Sequence, residues 1–154
     1  MEFVGMDGAD VVGSFNTQYK TDRSGKAYVY GYAESAGVLK TPYFLLWAGS
    51  TYAATALAAS TVGLVGVPPG AVASGCVGWY QVRGFCSDLQ CGTTKIDGSF
   101  GHAVYCSAAG VACSNTAFTG EDEQFAVLAE DCGGGGSTTA NVWLRGNVHT
   151  TPLA

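Results

Sequence analysis

Six cysteines, two histidines and one acidic cluster are the residues whose types could do chemistry in this 154-residue chain. A cysteine nucleophile needs a neighbouring base to hold it as thiolate. None of Cys76, Cys86, Cys91, Cys106, Cys113 or Cys132 has one in sequence. Zinc sites favour ligand pairs at C-x2-C-like spacing, whereas here the gaps run from Cys86 to Cys91 and from Cys106 to Cys113. Reduced buried thiols, disulfides formed in an oxidising medium and a metal site all remain compatible with such spacings. His102 alternates with Val104 in a strand-like stretch, which suits packing or solvent more than ligation, and His149 sits in a polar C-terminal stretch. Glu121-Asp122-Glu123 lacks the alternating Asp/Asn-Gly pattern of a calcium loop and reads as a solvated acidic segment. No G-x-S-x-G, H-E-x-x-H or P-loop pattern occurs. The expectation is a protein with no catalytic residue, no metal and no cofactor, and hence not an enzyme.

Binding chemistry is better represented. Tyr28, Tyr30 and Tyr32 share one face of a strand by their period of two. Gly78-Trp79-Tyr80-Gln81-Val82-Arg83-Gly84 reads as a short aromatic strand between glycines, and Val142-Trp143-Leu144-Arg145-Gly146 echoes it. Lys20, Arg23, Lys26 and Lys40 crowd the front of the chain, while Glu121, Asp122, Glu123, Glu130 and Asp131 lie towards its end. The residues expected at a partner surface are Lys20, Arg23, Lys26, Tyr28, Tyr30, Trp79, Arg83, Trp143 and Arg145. An aromatic stripe of this kind ordinarily packs a core or an interface; a sugar-stacking platform is the alternative.

These residues need strands to position them. Arg83 and Arg145 stand 62 positions apart. Each ends a unit of apolar strand, glycine turn and aromatic strand: Leu64 to Val67 precedes the first, Phe125 to Leu128 the second. Pro42 to Gly49 is likewise answered by Gly101 to Ala108. This reads as a degenerate internal repeat. Residues 1–27 read as a polar N-terminal arm with one short strand at Asp10-Val11-Val12, 28–84 as a first β unit, 85–146 as a second, and 147–154 as a tail. Within the units, Tyr43 to Trp47 and Val62 to Val67 read as strands. Tyr52 to Ser60 could be a short helix or a loop, Phe85 to Asp97 a loop or hairpin, and Gly133 to Ser137 a flexible turn. The expected fold is all-β: two related barrel- or sandwich-like halves, or one larger barrel, with an extended N-terminal arm.

Hydrophobic residues make up 47% of the chain and charged residues only 12%, about half the usual share of roughly 25%. So few charges suggest surface covered by other chains. A net charge of -5 argues against nucleic acid, whose phosphates need clustered cations. No run reaches the roughly 18 apolar residues of a membrane helix, and the N-terminus lacks the basic start and apolar core of a signal peptide.

The stretches VGLVGVPPGAVASGCVGWYQVRGFC (62–86) and FAVLAEDCGGGGSTTANVWLRG (125–146) resemble the head decoration, or cement, proteins of tailed phages. In those, an apolar strand, a small-residue stretch and a glycine turn lead into an aromatic strand. The polar opening fits as well; the six cysteines and the doubled unit depart from the pattern. The resemblance implies a non-enzymatic virion protein, made in the host cytoplasm, that sits on the capsid's outer surface as a homo-oligomer, a trimer for preference. There it would bridge subunits of the major capsid protein. A carbohydrate- or receptor-binding β module of a virion is the alternative.

Overall fold

The computed structural model describes residues 19–56, 63–91, 96–105, 124–146 and 148–149. Among them every regular element is a strand: β1 (Tyr19–Thr21), β2 (Ala27–Ala33), β3 (Tyr43–Trp47), β4 (Tyr52–Ala56), β5 (Gly63–Gly66), β6 (Val77–Gln90), β7 (Ile96–Gly98), β8 (Ala103–Val104), β9 (Ala126–Leu128), β10 (Cys132–Ser137), β11 (Thr139–Arg145) and β12 (Val148–His149). Ten form one sheet in the order β12-β5-β3-β4-β2-β6-β11-β9-β8, with β1 added to β2; β7 and β10 pair apart. Apart from the parallel pair β2–β4, the ladders are antiparallel. The sheet curls like a half-barrel. Its two limbs touch where Val67 and Gln81 exchange both backbone hydrogen bonds, at 2.8 Å each.

Alternation along the strands divides the interior. β2 turns Ala27 and Val29 inward, β6 turns Tyr80 and Val82, and β3 turns Tyr43 and Leu45, so these meet in one core cluster. The opposite face of β3 and β5 gives Phe44 and Val65 to a second cluster with Cys86, Leu89, Val142 and Leu144. Sharing β3, β5 and β6 between two cores explains why the run Tyr43-Phe44-Leu45 is buried on both faces. Such strands read as unbroken apolar runs rather than as alternation.

β6 is the longest strand and the junction of the two cores. It pairs with β2 through Arg83 and with β11 from Arg83 to Gln90. It therefore runs through Gly84, where the sequence places the end of the first unit, and Phe85–Gln90 is strand rather than loop. Two features carry the chain through. Gly84 adopts φ 91°, a conformation costly for residues with a Cβ. The side-chain amide of Gln81, buried within the sheet, donates to the carbonyls of Arg83 (3.2 Å) and Phe85 (2.9 Å), bracing the bend from both sides.

Other expectations are also corrected. Tyr52 to Ala56 is neither helix nor loop but strand β4, held between β2 and β3. Its Ala53 and Ala54 point to opposite faces and are both buried, so no polar position marks a period. The glycine run at 133–136 lies within strand β10, whose register with β7 is irregular. Val148–His149, expected as tail, pair with Leu64 and Gly63 of β5. Of the expected N-terminal arm, residues 19–27 belong to the sheet through β1 and its turn. The rest of the arm, residues 1–18, lies outside the described residues, as do Cys106, Cys113 and Glu121-Asp122-Glu123.

Candidate functional site: the outer face of β2, β6 and β11

Register partners in a sheet present their side chains to the same face. Tyr28 stands opposite Gln81, Tyr30 opposite Trp79 and Tyr32 opposite Val77. Farther along β6, Arg83 stands opposite Arg145 and Phe85 opposite Trp143. Alternation along β6 then groups Val77 and Trp79 with the tyrosines of β2, and Arg83 and Phe85 with Trp143 and Arg145 of β11; between the two groups Gln81 is buried and the β2–β6 register shifts, setting Arg83 opposite Ala27. Tyr32, Val77 and Trp143 are exposed, as are both arginines.

One end of this surface is an aromatic ladder closed by a cation. The Tyr30 and Trp79 rings lie 4.8 Å apart at 53°. Lys20 of β1 reaches across β2, its Nζ 4.9 Å from the Tyr28 ring and 4.1 Å from the Trp79 ring. This is cation–π geometry, and it ties three strands together. Partial burial lowers the Lys20 pKa from its usual value, with Asp22 opposing. The turn that presents Lys20 is built by Asp22. Its Oδ1 accepts from Ser24 N (2.9 Å), Ser24 Oγ (2.6 Å) and Lys26 N (3.0 Å), and its Oδ2 from the Tyr28 hydroxyl (3.4 Å). The Ser24 hydroxyl first, with the other donors, holds the Asp22 carboxyl below its ordinary pKa. Burial, then Asp22, raises that of Tyr28.

The other end is the row Arg83–Arg145 beside the row Phe85–Trp143, whose rings meet edge-on at 5.4 Å. The glycine after each arginine makes room for a neighbouring cationic side chain. A Cβ on Gly146 would come within 3.4 Å of Arg83 Cβ, and one on Gly84 within 3.0 Å of Lys26 Cα and 3.2 Å of its Cγ. The Arg-Gly echo in the sequence thus corresponds to direct cross-strand contact.

Of the nine residues expected at a partner surface, the structure gathers Lys20, Tyr28, Tyr30 and Trp79 at one end and Arg83, Trp143 and Arg145 at the other; Lys26 lies against Gly84. Arg23 is exposed in the β1–β2 turn and joins neither group. Sequence reasoning missed Asp22 and Phe85. The Asp-x-Ser-Gly turn signal could have found the first; the second follows only from the β6–β11 register.

An open groove of about 310 Å³ adjoins Trp79, lined by residues 69–73 and 76–79. Its walls are apolar except for Cys76, and no histidine, carboxylate or lysine lines it. Cys86, Cys91 and Cys132 are buried in the second core. Burial raises all three thiols, that of Cys91 to about 12 with Cys132 contributing. His102 is exposed in a turn, where its Nδ1 accepts from Ser99 N at 3.2 Å. Among the described residues no three His, Cys, Asp or Glu side chains are grouped to hold a metal ion, and no helix is long and apolar enough to cross a membrane. No protein-family model, curated protein or solved structure matches this chain.

Proposed function

We propose that this protein is a structural virion component that decorates the outside of a phage capsid, bridges capsid subunits and performs no catalysis. The observation that carries the reading is the outer face that bears Trp79 at one end and Arg83, Arg145 and Trp143 at the other, with no catalytic constellation beside them among the described residues. Tryptophan and arginine are the residues most enriched among the energetic anchors of protein interfaces. The sequence resemblance supplies the capsid as the occupant. In this reading the partner is the major capsid protein, the assembly a trimer, and the two halves, residues 42–84 and 101–146, descend from one duplicated unit. Co-sedimentation with empty capsids tests it. The full chain should pellet with the shells at stoichiometric occupancy, and Trp143→Ala should weaken attachment about tenfold or more, as expected for loss of an interface anchor. A chain left in the supernatant at every salt concentration overturns the reading.

The second reading is a carbohydrate-binding module, favoured by the half-exposed rings of Tyr28, Tyr30 and Trp79. Against it, Lys20 lies over Trp79 where a pyranose would stack. Binding on a glycan array, lost in Tyr30→Ala and gained in Lys20→Ala, would select this reading.

A further inference from the structure

The outer face carries a charge arrangement that the fold itself does not use. Arg83 and Arg145 are direct antiparallel partners, so their Cβ atoms stand about 4.5–5.5 Å apart. Like charges in that position repel one another. Two of the seven basic residues of a chain with net charge -5 therefore stand side by side. No ion pair joins either arginine to a carboxylate among the described residues, and both side chains are exposed. The nearest acid in the β1–β2 turn, Asp22, already accepts from Ser24, Lys26 N and Tyr28. The packing keeps the arginine stems in place: Arg83 runs over Gly146, where a Cβ would lie 3.4 Å from its Cβ and 3.8 Å from its Cδ.

From this we infer that Arg83 and Arg145 form a clamp for side-chain carboxylates of a partner protein, with the Phe85–Trp143 pair supplying an apolar wall. Two guanidinium forks side by side match the planar, two-oxygen geometry of a carboxylate, which arginine engages bidentately and lysine does not. The partner is thus an acidic, aromatic-tolerant protein segment. Nucleic acid fits less well, because a phosphate backbone needs a longer track of cations than two arginines on an acidic protein. The inference rests on the reading of this face as a docking surface and names its partner's chemistry.

The test is fluorescence anisotropy with the full chain and a labelled hexaglutamate peptide at low salt, with hexaglutamine and a single-stranded hexanucleotide as comparisons. Hexaglutamate should bind at least tenfold tighter than either. Arg83→Ala and Arg145→Ala should each weaken it about tenfold or more, the scale of losing a charge-assisted hydrogen bond. The double variant Arg83→Lys, Arg145→Lys keeps the charge and should lose most of the binding; if it binds like the native chain, the clamp geometry is refuted. Equal binding of the oligonucleotide also overturns the proposal. So does binding that appears only after Glu121, Asp122 and Glu123 are all changed to glutamine, since the arginines would then be satisfied within the chain. Circular dichroism of each variant confirms folding. Peptide binding without capsid attachment sinks the decoration reading alone, whereas capsid attachment indifferent to both arginines sinks the clamp alone.

Discussion

Replacing Gly66 by alanine tests the division of the interior into tightly shared cores. A Cβ at Gly66 would lie 2.5 Å from Leu45 Cδ1, 2.9 Å from Tyr80 Cβ and 3.1 Å from Leu45 Cγ, against an optimal carbon separation of about 3.5–4.0 Å. Leu45 can swing its methyl, but Tyr80 Cβ moves only with β6, and both residues are almost wholly buried. Overpacking of this kind costs about 1–3 kcal/mol. The reduced freedom of the unfolded chain offsets about 0.4–1 kcal/mol of that. The net expectation is a loss of about 1–2 kcal/mol, or a Tm lower by about 2–8 °C for a domain of this size. Gly70→Ala is the control, because nothing lies within 4 Å of its Cβ and its φ is not positive; it should leave stability unchanged or raise it by up to about 1 kcal/mol. Urea unfolding followed by tryptophan fluorescence measures both. Equal stabilities for the two variants would refute the packing of β5 against β3 and β6.

Further outcomes follow from individual groups. Among the described residues the buried Tyr80 hydroxyl has no hydrogen-bond partner, so Tyr80→Phe should be neutral or stabilising by up to about 2 kcal/mol; a clear loss in urea unfolding would mean the hydroxyl is bonded. Iodoacetamide should label exposed Cys76 in the native protein, and Cys86, Cys91 and Cys132 only after denaturation, as peptide mapping by mass spectrometry will report. The raised thiols also set a pH trend. Unfolded cysteines ionise near 9.0 while folded Cys91 holds its proton to about 12. Their contribution to stability is therefore full below about pH 9 and declines as pH rises towards 12; unfolding midpoints that rise over this range would contradict it. Removing residues 1–18 should leave the tryptophan emission unchanged. Removing 1–21 takes away Lys20 and should shift it to the red, whereas no difference between the two truncations would deny Lys20 its place over Trp79.

The legible parts of the fold were those with a strong side-chain period. Tyr28, Tyr30 and Tyr32 alternate with small inward residues and form β2, and Val142 to Arg145 falls within β11. Illegible were the segments whose identity comes from what they pair with. Ala53 and Ala54 carry no period because both faces of β4 are buried, and the parallel β2–β4 ladder joins segments without a turn between them. Gly84 looked like a terminator; only the ladder with β11 and Gln81's two bonds show that β6 continues. Residue type alone had named Trp79, Arg83, Trp143 and Arg145 as candidates for a partner surface. Their assembly into rows was not readable, because register is a property of two strands at once.

The length of β6 has a consequence for how the chain is made. Its second half, from Arg83 to Gln90, finds its ladder partner in residues 139–145, roughly fifty residues later. During synthesis at about 5–20 residues per second, that half-strand, with Phe85, Cys86 and Leu89, emerges several seconds before anything can cover it. Bare, β-prone strand is the raw material of aggregation. Gly84 and the charged Arg83 and Asp88 interrupt this one. Arg83, which stands on the finished outer face, thus also guards the strand while the molecule is still incomplete.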